Sequence, residues 1–261
     1  MFDKNQIIEF SKLLNLRPYQ QERHYMQSAI LVVLSDFPLI FKGGTYLWFF
    51  HGLDRYSTDL DFTINSSNFN KSMSDFANEL LNIIKKKLWV LEGIKAECKL
   101  NTFKEDVGFS IKVTAEGPLY KNKVSSCYID IDISYRETVL LKTKPYKLNI
   151  PYYNFPQKII TGMDLNEVLA EKIRAIITRD SVRDIYDLWF LLNVKQIPFT
   201  KDILKIVKSK LDYCGFKFSM EELKNKITER QNEFKELNNF VFSKLEPFDF
   251  YKKQIFEKIR L

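Results

Sequence analysis

The sequence predicts an α+β protein: a mixed sheet with helices over residues 1–158, then a purely helical part over residues 159–261. Three observations carry this reading. Residues 94 to 135 alternate apolar and polar side chains with the two-residue period of half-buried strands, as in Val107-Gly108-Phe109-Ser110-Ile111-Lys112-Val113 and Tyr128-Ile129-Asp130-Ile131-Asp132-Ile133. From about Asp164 onward, apolar residues recur at helical spacing, most clearly at Leu165, Val168, Leu169, Ile173, Ile176 and Ile177. Pro151 and Pro156 interrupt the chain between the two regions.

Each element has its own signal. Ile7, Ile8, Leu13 and Leu14, then Met26, Ala29, Ile30, Val33 and Leu34, mark two helical segments separated by Pro18. Pro38-Leu39-Ile40-Phe41 is a short apolar run ending at Gly43-Gly44, which predicts a buried strand entering a turn. Thr45 to Phe50 predicts a short helix. Leu60 to Ile64 predicts a second strand, with Asp59 at its start and Asp61 inside it. Phe69 to Val90 reads as a helix carrying Phe76, Leu80, Ile83, Ile84 and Leu88 on one face.

Bulk properties narrow the function classes. Apolar residues make up 45% and charged residues 28% of the 261, a balance that suits globular domains with a sizeable core. No apolar run approaches a membrane span, and Met1-Phe2-Asp3-Lys4 lacks a signal pattern, so the expected location is the cytoplasm, with no membrane partner. Cys98, Cys127 and Cys214 lack CxxC spacing, which argues for reduced thiols rather than a disulfide framework or a zinc site. His24 and His51 are the only histidines, too few for imidazole-based metal or triad chemistry. A net charge of +7 favours a polyanionic partner, although a lysine-rich composition alone would give the same number.

The chemistry is carried by acidic residues. Asp59 and Asp61, at i and i+2 on one strand, point to the same face and can share metal ions. Mg²⁺ takes hard oxygen ligands and keeps several waters, which suits such a pair. Gly43-Gly44 at a helix start lets backbone N–H groups approach a phosphate. A DxD pair or a Gly-Gly turn alone is weak. Their succession within about 15 residues is what points to metal-assisted transfer of a nucleotidyl group. Asp130 and Asp132 share one face of a later strand. Asp132 is the candidate third metal ligand and general base, and a polar strand face is the alternative.

Lys42-Gly43-Gly44-Thr45 with Asp54-Arg55-Tyr56-Ser57-Thr58-Asp59-Leu60-Asp61-Phe62 resembles the signature of AbiEii-like nucleotidyltransferases. These include toxins of abortive-infection, type IV toxin–antitoxin systems. Ile131-Asp132-Ile133-Ser134-Tyr135-Arg136 is similar to that family's later acidic strand. Glu171-Lys172-Ile173-Arg174-Ala175 and Arg183-Asp184-Ile185-Tyr186-Asp187-Leu188 are similar to its C-terminal motifs. The resemblance spans residues 38 to 192. It implies a polymerase-β-like nucleotidyltransferase core with a mixed sheet over residues 1–158 and a helical bundle over 159–261. It further implies an NTP substrate, Mg²⁺ (or Mn²⁺), an acceptor such as the tRNA 3′ end, and a cognate antitoxin. Asp59 and Asp61 would be metal ligands, and Gly43, Gly44 and Thr45 would meet the triphosphate. Lys172 and Asp184 would belong to the catalytic set.

Several positions keep two readings. Lys172 interrupts the apolar ridge between Val168 and Ile176, so it must find an anion, either triphosphate or Asp184/Asp187. Asp184 could instead cap a helix through Ser181-x-x-Asp184. Arg55, beside Ser57 in the loop before the DxD strand, either contacts phosphate or lies on the surface. Trp48-Phe49-Phe50 reads as packing, and Lys85-Lys86-Lys87 as the wet end of an amphipathic helix or a grip on RNA backbone. Three functions compete: NTP transfer to RNA, transfer to a small molecule or protein hydroxyl, and a non-catalytic binding module.

Overall fold

The computed structural model describes residues 2–66, 69–136, 138–150 and 153–260. Pro151 lies outside the described residues. The chain forms two compact units. The first comprises Met1–Tyr46, Thr58–Thr138 and Thr143–Gly162; the second comprises Leu47–Ser57, Val139–Lys142 and Met163–Leu261.

The first unit is built on a seven-stranded mixed sheet. Its strands are β1 (Leu39–Lys42), β2 (Leu60–Ile64), β3 (Ala96–Lys104), β4 (Gly108–Ala115), β5 (Cys127–Ser134), β6 (Lys144–Leu148) and β7 (Lys158–Gly162). Their spatial order is β3-β4-β5-β2-β1-β7-β6. β2 runs parallel to β5 and antiparallel to β1, while β7 runs parallel to β1. Leu60, Phe62 and Ile64 on β2 and Ile129, Ile131 and Ile133 on β5 are all buried on one side, as the alternation requires. Helices α2 (Pro18–Leu34) and α4 (Met73–Glu92) pack against the sheet, and Phe76 of α4 meets Phe109 of β4 edge-on at 6.1 Å.

The helices start and stop where local chemistry dictates. Asp3 accepts from Gln6 N at the head of α1 (Lys4–Leu13), and Pro18 occupies the first turn of α2, where its missing N–H costs nothing. α4 begins at Met73 rather than at Phe69, because Ser72 accepts from the Asp75 N–H as its N-cap. It ends at Gly93, which takes the left-handed conformation.

β6 and β7 have no counterpart among the predicted strands. β6 is a sheet edge containing Pro145, and β7 is a short segment with exposed Ile159, so neither alternates clearly. Because β7 pairs with β1 and β6, the first unit extends past residue 158 to Gly162. A Cβ at Gly162 would lie 2.6 Å from Tyr46 and 2.7 Å from Tyr146, two rings that meet edge-on at 5.5 Å. Glycine is what lets this strand slide under them.

The second unit is helical: α5 (Leu165–Thr178), α6 (Val182–Trp189) with a π-helical continuation (Phe190–Val194), α7 (Lys201–Asp212), α8 (Met220–Glu229) and α9 (Phe248–Lys258). The stripe read from the sequence is its core, with Val168, Leu169, Ile173, Ile176 and Ile177 all buried. Two earlier stretches, Leu47–Ser57 and Val139–Lys142, join it. The segment around Arg55 bridges Val241, with Tyr56 N donating to Phe240 O at 2.8 Å. Leu140 N and Leu141 N donate to the Glu167 carboxylate, and Glu167 also pairs with Lys210 at 2.8 Å. Lys210 reaches Glu171 as well, at 3.2 Å. Among the described residues no helix is long and apolar enough to cross a membrane.

Lys210 and Glu167 are almost wholly buried, so their charges depend on each other. Replacing Lys210 by Met leaves two buried carboxylates facing each other's field. The expected cost is about 3–5 kcal/mol of stability, read from the urea midpoint, and Glu167→Gln in the same background should recover part of it. An unchanged midpoint in Lys210→Met would show that the cluster is not what pins Leu140 and Leu141.

Candidate active site

Two of the predicted acidic residues, Asp61 and Asp132, lie side by side in one row across the sheet. Lys42 on β1 is opposite Asp61 on β2, Asp61 is opposite Asp132 on β5, and Asp132 is opposite Ser110 on β4. Register partners on adjacent strands sit about 4.8 Å apart and share a face. That face is the reverse of the one formed by Phe62, Ile131 and Ile133. The alternation that buries the isoleucines therefore presents the aspartates outward. Asp132 is exposed, Asp59 and Asp61 are half-buried, and Lys42 is buried. Asp130, two residues before Asp132, is opposite Lys112 and lies one step off this row.

The glycine turn abuts this row. α3 (Gly43–His51) starts at Gly43 itself, two residues earlier than the predicted Thr45. Gly43 has φ +76°, and a Cβ there would lie 2.7 Å from Asp61 Cγ. The Asp61 carboxyl thus rests against the bare α-carbon at the N-terminus of α3. Free N–H groups and the helix dipole favour anions at such an end. Thr45, read as a triphosphate contact, is completely buried, and its hydroxyl donates to the Asp59 carbonyl at 2.5 Å. Its observed role is to tie α3 to the residue that opens β2. Behind the row, Phe41 stacks on Phe62 at 4.9 Å and holds β1 and β2 together.

Among the described residues, no three His, Cys, Asp or Glu side chains are gathered into a ready-made metal cage. Mg²⁺ does not require one. It is commonly held by one or two carboxylates, with waters and substrate phosphates completing the octahedron. Two register-paired aspartates beside a helix N-terminus, with Asp59 two residues before Asp61 at the entry to β2, fit that requirement.

The other predicted site residues form a buried ion-pair network in the second unit. Lys172 Nζ lies 2.8 Å from Asp184 Oδ1 and 2.7 Å from Asp187 Oδ2. Of the anions open to Lys172, these two carboxylates are its partners. Asp184 also accepts from Arg179 Nε at 2.9 Å. Ser181 stands at the N-cap of α6 without a side-chain bond, so the capping reading of Asp184 gives way to the ion pair. Arg55 is buried, not on the surface. Its Nε and Nη2 each donate to Asp187 at 2.6 Å, and Nη1 donates to the Tyr56 carbonyl. Ser57 is buried close by in sequence.

Burial alone would raise the pKa of Asp184, but Lys172 and Arg179 outweigh it and hold the carboxyl far below the usual range. Arg55 and Lys172 likewise overcome burial at Asp187. Burial would lower Lys172, and the two carboxylates reverse that. His24 is pushed down to about 4 by desolvation and shares a 2.8 Å hydrogen bond with the Tyr153 hydroxyl, a packing role. Four residues of these arrangements were not singled out in the sequence: Ser110, Glu167, Arg179 and Lys210. Each becomes visible only through register or helix packing. Trp48 packs edge-on with Tyr56 at 5.5 Å, in keeping with packing rather than base stacking.

Two outcomes follow from this geometry. Gly43→Ala places a methyl group inside the Asp61 carboxyl and forces a left-handed alanine, so it should cost about 1–2 kcal/mol from the backbone alone and displace Asp61. Retained metal–nucleotide affinity in a folded Gly43→Ala protein would show that this contact is dispensable. For Asp184 and Asp187 the folded pKa values are depressed. Their stabilisation is therefore complete above about pH 4 and is lost as pH falls below that, through the folded values. Asp187→Asn should cost about 3–5 kcal/mol at neutral pH and flatten the decline in urea midpoint between pH 4 and pH 2. An acid limb as steep as that of wild type would mean other carboxylates govern it.

Comparison with known proteins fits this geometry. The fold is similar to JHP933 from Helicobacter pylori, with TM-score 0.63 at 18% identity over 92% of this chain and 90% of that one. It is also similar to a putative nucleotidyltransferase from H. pylori, with TM-score 0.60 at 19% identity over 91% of each chain. A third similar structure is MenT4, a nucleotidyltransferase toxin from Mycobacterium tuberculosis H37Rv, with TM-score 0.53 at 15% identity over 99% and 98%. No curated protein sequence is a significant match. The family model described as nucleotidyl transferase AbiEii toxin, type IV TA system, matches residues 26–254. That match runs through the glycine turn, the acidic row and the Lys172 network alike, and the chain belongs to the AbiEii family of nucleotidyltransferase toxins.

Proposed function

We propose that this protein is a Mg²⁺-dependent NTP:acceptor nucleotidyltransferase that acts as a toxin by modifying an RNA end such as the tRNA 3′ terminus. The observation that carries the reading is the register pairing of Asp61 with Asp132 beside Gly43 at the start of α3. In this reading Asp59, Asp61 and Asp132 hold the metal. The metal supplies charge neutralisation on the triphosphate and on the departing pyrophosphate. The backbone N–H groups of Gly43 and Gly44 receive phosphate oxygens, and Lys42, next along the row, adds positive charge. Asp132, the most exposed of the three, takes the proton from the acceptor hydroxyl as its oxygen bonds to the α-phosphorus and the α–β phosphoanhydride breaks. Lys172 and Asp184 act through their network by fixing α5 against α6. The net charge of +7 favours RNA over a small acceptor. A cognate antitoxin is the expected protein partner, in line with the type IV family.

The test is incubation with each labelled NTP, Mg²⁺ and total RNA, beside an Asp59→Ala/Asp61→Ala variant. Label should appear on RNA and fall at least about a hundredfold in the variant, since metal stabilisation of the transition state is worth several kcal/mol. Expression of wild type, and not of the variant, should slow growth. Label on the protein or on a small molecule instead would redirect the acceptor assignment. Equal labelling by both proteins would sink the carboxylate site.

A further inference from the structure

The strand register that builds the acidic row also builds two more rows on the same face, leading away from it. The first is Asp61–Asp132–Ser110–Thr102, the second Asp130–Lys112–Lys99, and the third Tyr128–Thr114–Glu97. Side-chain contacts confirm the shared face: Thr102 Oγ1 and Ser110 Oγ lie 2.8 Å apart, and Lys112 Nζ sits 5.8 Å from the Tyr128 ring centre. Beside the third row opens a cavity of about 620 Å³ whose lining includes Lys85, Trp89, Lys95, Lys99, Lys123 and Tyr128. Trp89 is 55% exposed and Tyr128 is 39% exposed, so two aromatic rings stand in solvent among lysines.

We infer that this face and its cavity seat the single-stranded RNA end that receives the nucleotide, with Lys99, Lys112 and Lys123 meeting phosphates and Trp89 and Tyr128 stacking bases. The inference rests on the nucleotidyl-transfer reading and adds where the acceptor lies. Single strands are held by positive grooves with aromatic platforms, because every base has a π-face and every linkage a charge. Asp132 is four residues on from Tyr128, about 13 Å along a strand, room for roughly four stacked nucleotides. A strand anchored in the cavity thus ends with its terminal hydroxyl at Asp132. The acids on this path are each set beside a lysine: Asp130 is the register partner of Lys112. Glu97 lies 3.4 Å from Lys99 and Glu116 4.0 Å from Lys95, exposed pairs that exchange readily for phosphate. The rows flanking the lysines carry Ser110, Thr102 and Thr114, polar side chains unsuited to burying a protein surface.

The experiment measures binding of a short fluorescein-labelled single-stranded RNA by anisotropy, and transfer to the same RNA, for wild type, Lys99→Glu/Lys112→Glu and Trp89→Ala. The charge-reversed pair should bind about tenfold more weakly, with a salt slope flatter by about 0.7 per lysine. Trp89→Ala should also lose roughly tenfold. KM for RNA should rise in both while kcat and KM for NTP stay at wild-type values. Lys99→Gln/Lys112→Gln keeps the test open should charge reversal disturb folding. A wild type that labels RNA while the variants bind and react like it places the acceptor elsewhere and overturns the seat, leaving nucleotidyl transfer intact. A wild type that binds RNA through these residues but labels nothing supports the seat and sinks the transfer reading. A wild type that does not bind the RNA overturns the seat.

Discussion

Two carboxylates set side by side on parallel strands are the constraint on which the rest of the first unit depends. Like charges directly opposite each other destabilise a sheet. Asp61 and Asp132 nevertheless hold register positions that make them neighbours, and the structure arranges compensation around them. Lys42 flanks Asp61 in the same row, Asp132 stays in solvent, and the N-terminus of α3 abuts the Asp61 carboxyl. The register itself is not free to slip. A one-residue shift would send Leu60, Phe62, Ile131 and Ile133 to solvent and the aspartates into the core. Apolar burial on one face thus fixes the electrostatics on the other.

The second unit solves a similar problem by burial and pairing. Arg55, Lys172, Asp184, Asp187 and Arg179 alternate in sign, so each buried charge has a partner within hydrogen-bond distance. Such networks add little net stability over an apolar core, yet losing one member is costly because the others remain buried and unpaired. Their consequence here is positional. Asp187 holds the Arg55 segment, and Glu167 holds Leu140 and Leu141, so two stretches that precede α5 are anchored in the helical unit. A lysine and an aspartate that look catalytic in sequence thereby have an observed structural partnership, which any chemical role must work through.

Much of this was legible beforehand. The Asp59/Asp61 pair, its strand and the preceding glycine turn announce themselves through spacing, because strand periodicity and turn chemistry are local properties. Asp132 was legible as a strand-face carboxylate. Its adjacency to Asp61 was not, since β2 and β5 are separated by more than sixty residues of chain. β6 and β7 escaped notice because an edge strand with a proline and a short strand capped by a close-packed glycine carry little periodic signal. Arg55 was legible as important and illegible as to partner: nothing local says that its guanidinium meets a carboxylate on α6.

The sequence by itself determined the α+β succession, the identity of the acidic and glycine residues and the apolar stripe of α5, all set by interactions within a few residues along the chain. Tertiary structure decided which carboxylates stand together, which charges neutralise one another and where each unit ends. Those outcomes depend on strand order and register, and a pairing across distant segments is settled by burial of the whole core rather than by any local preference.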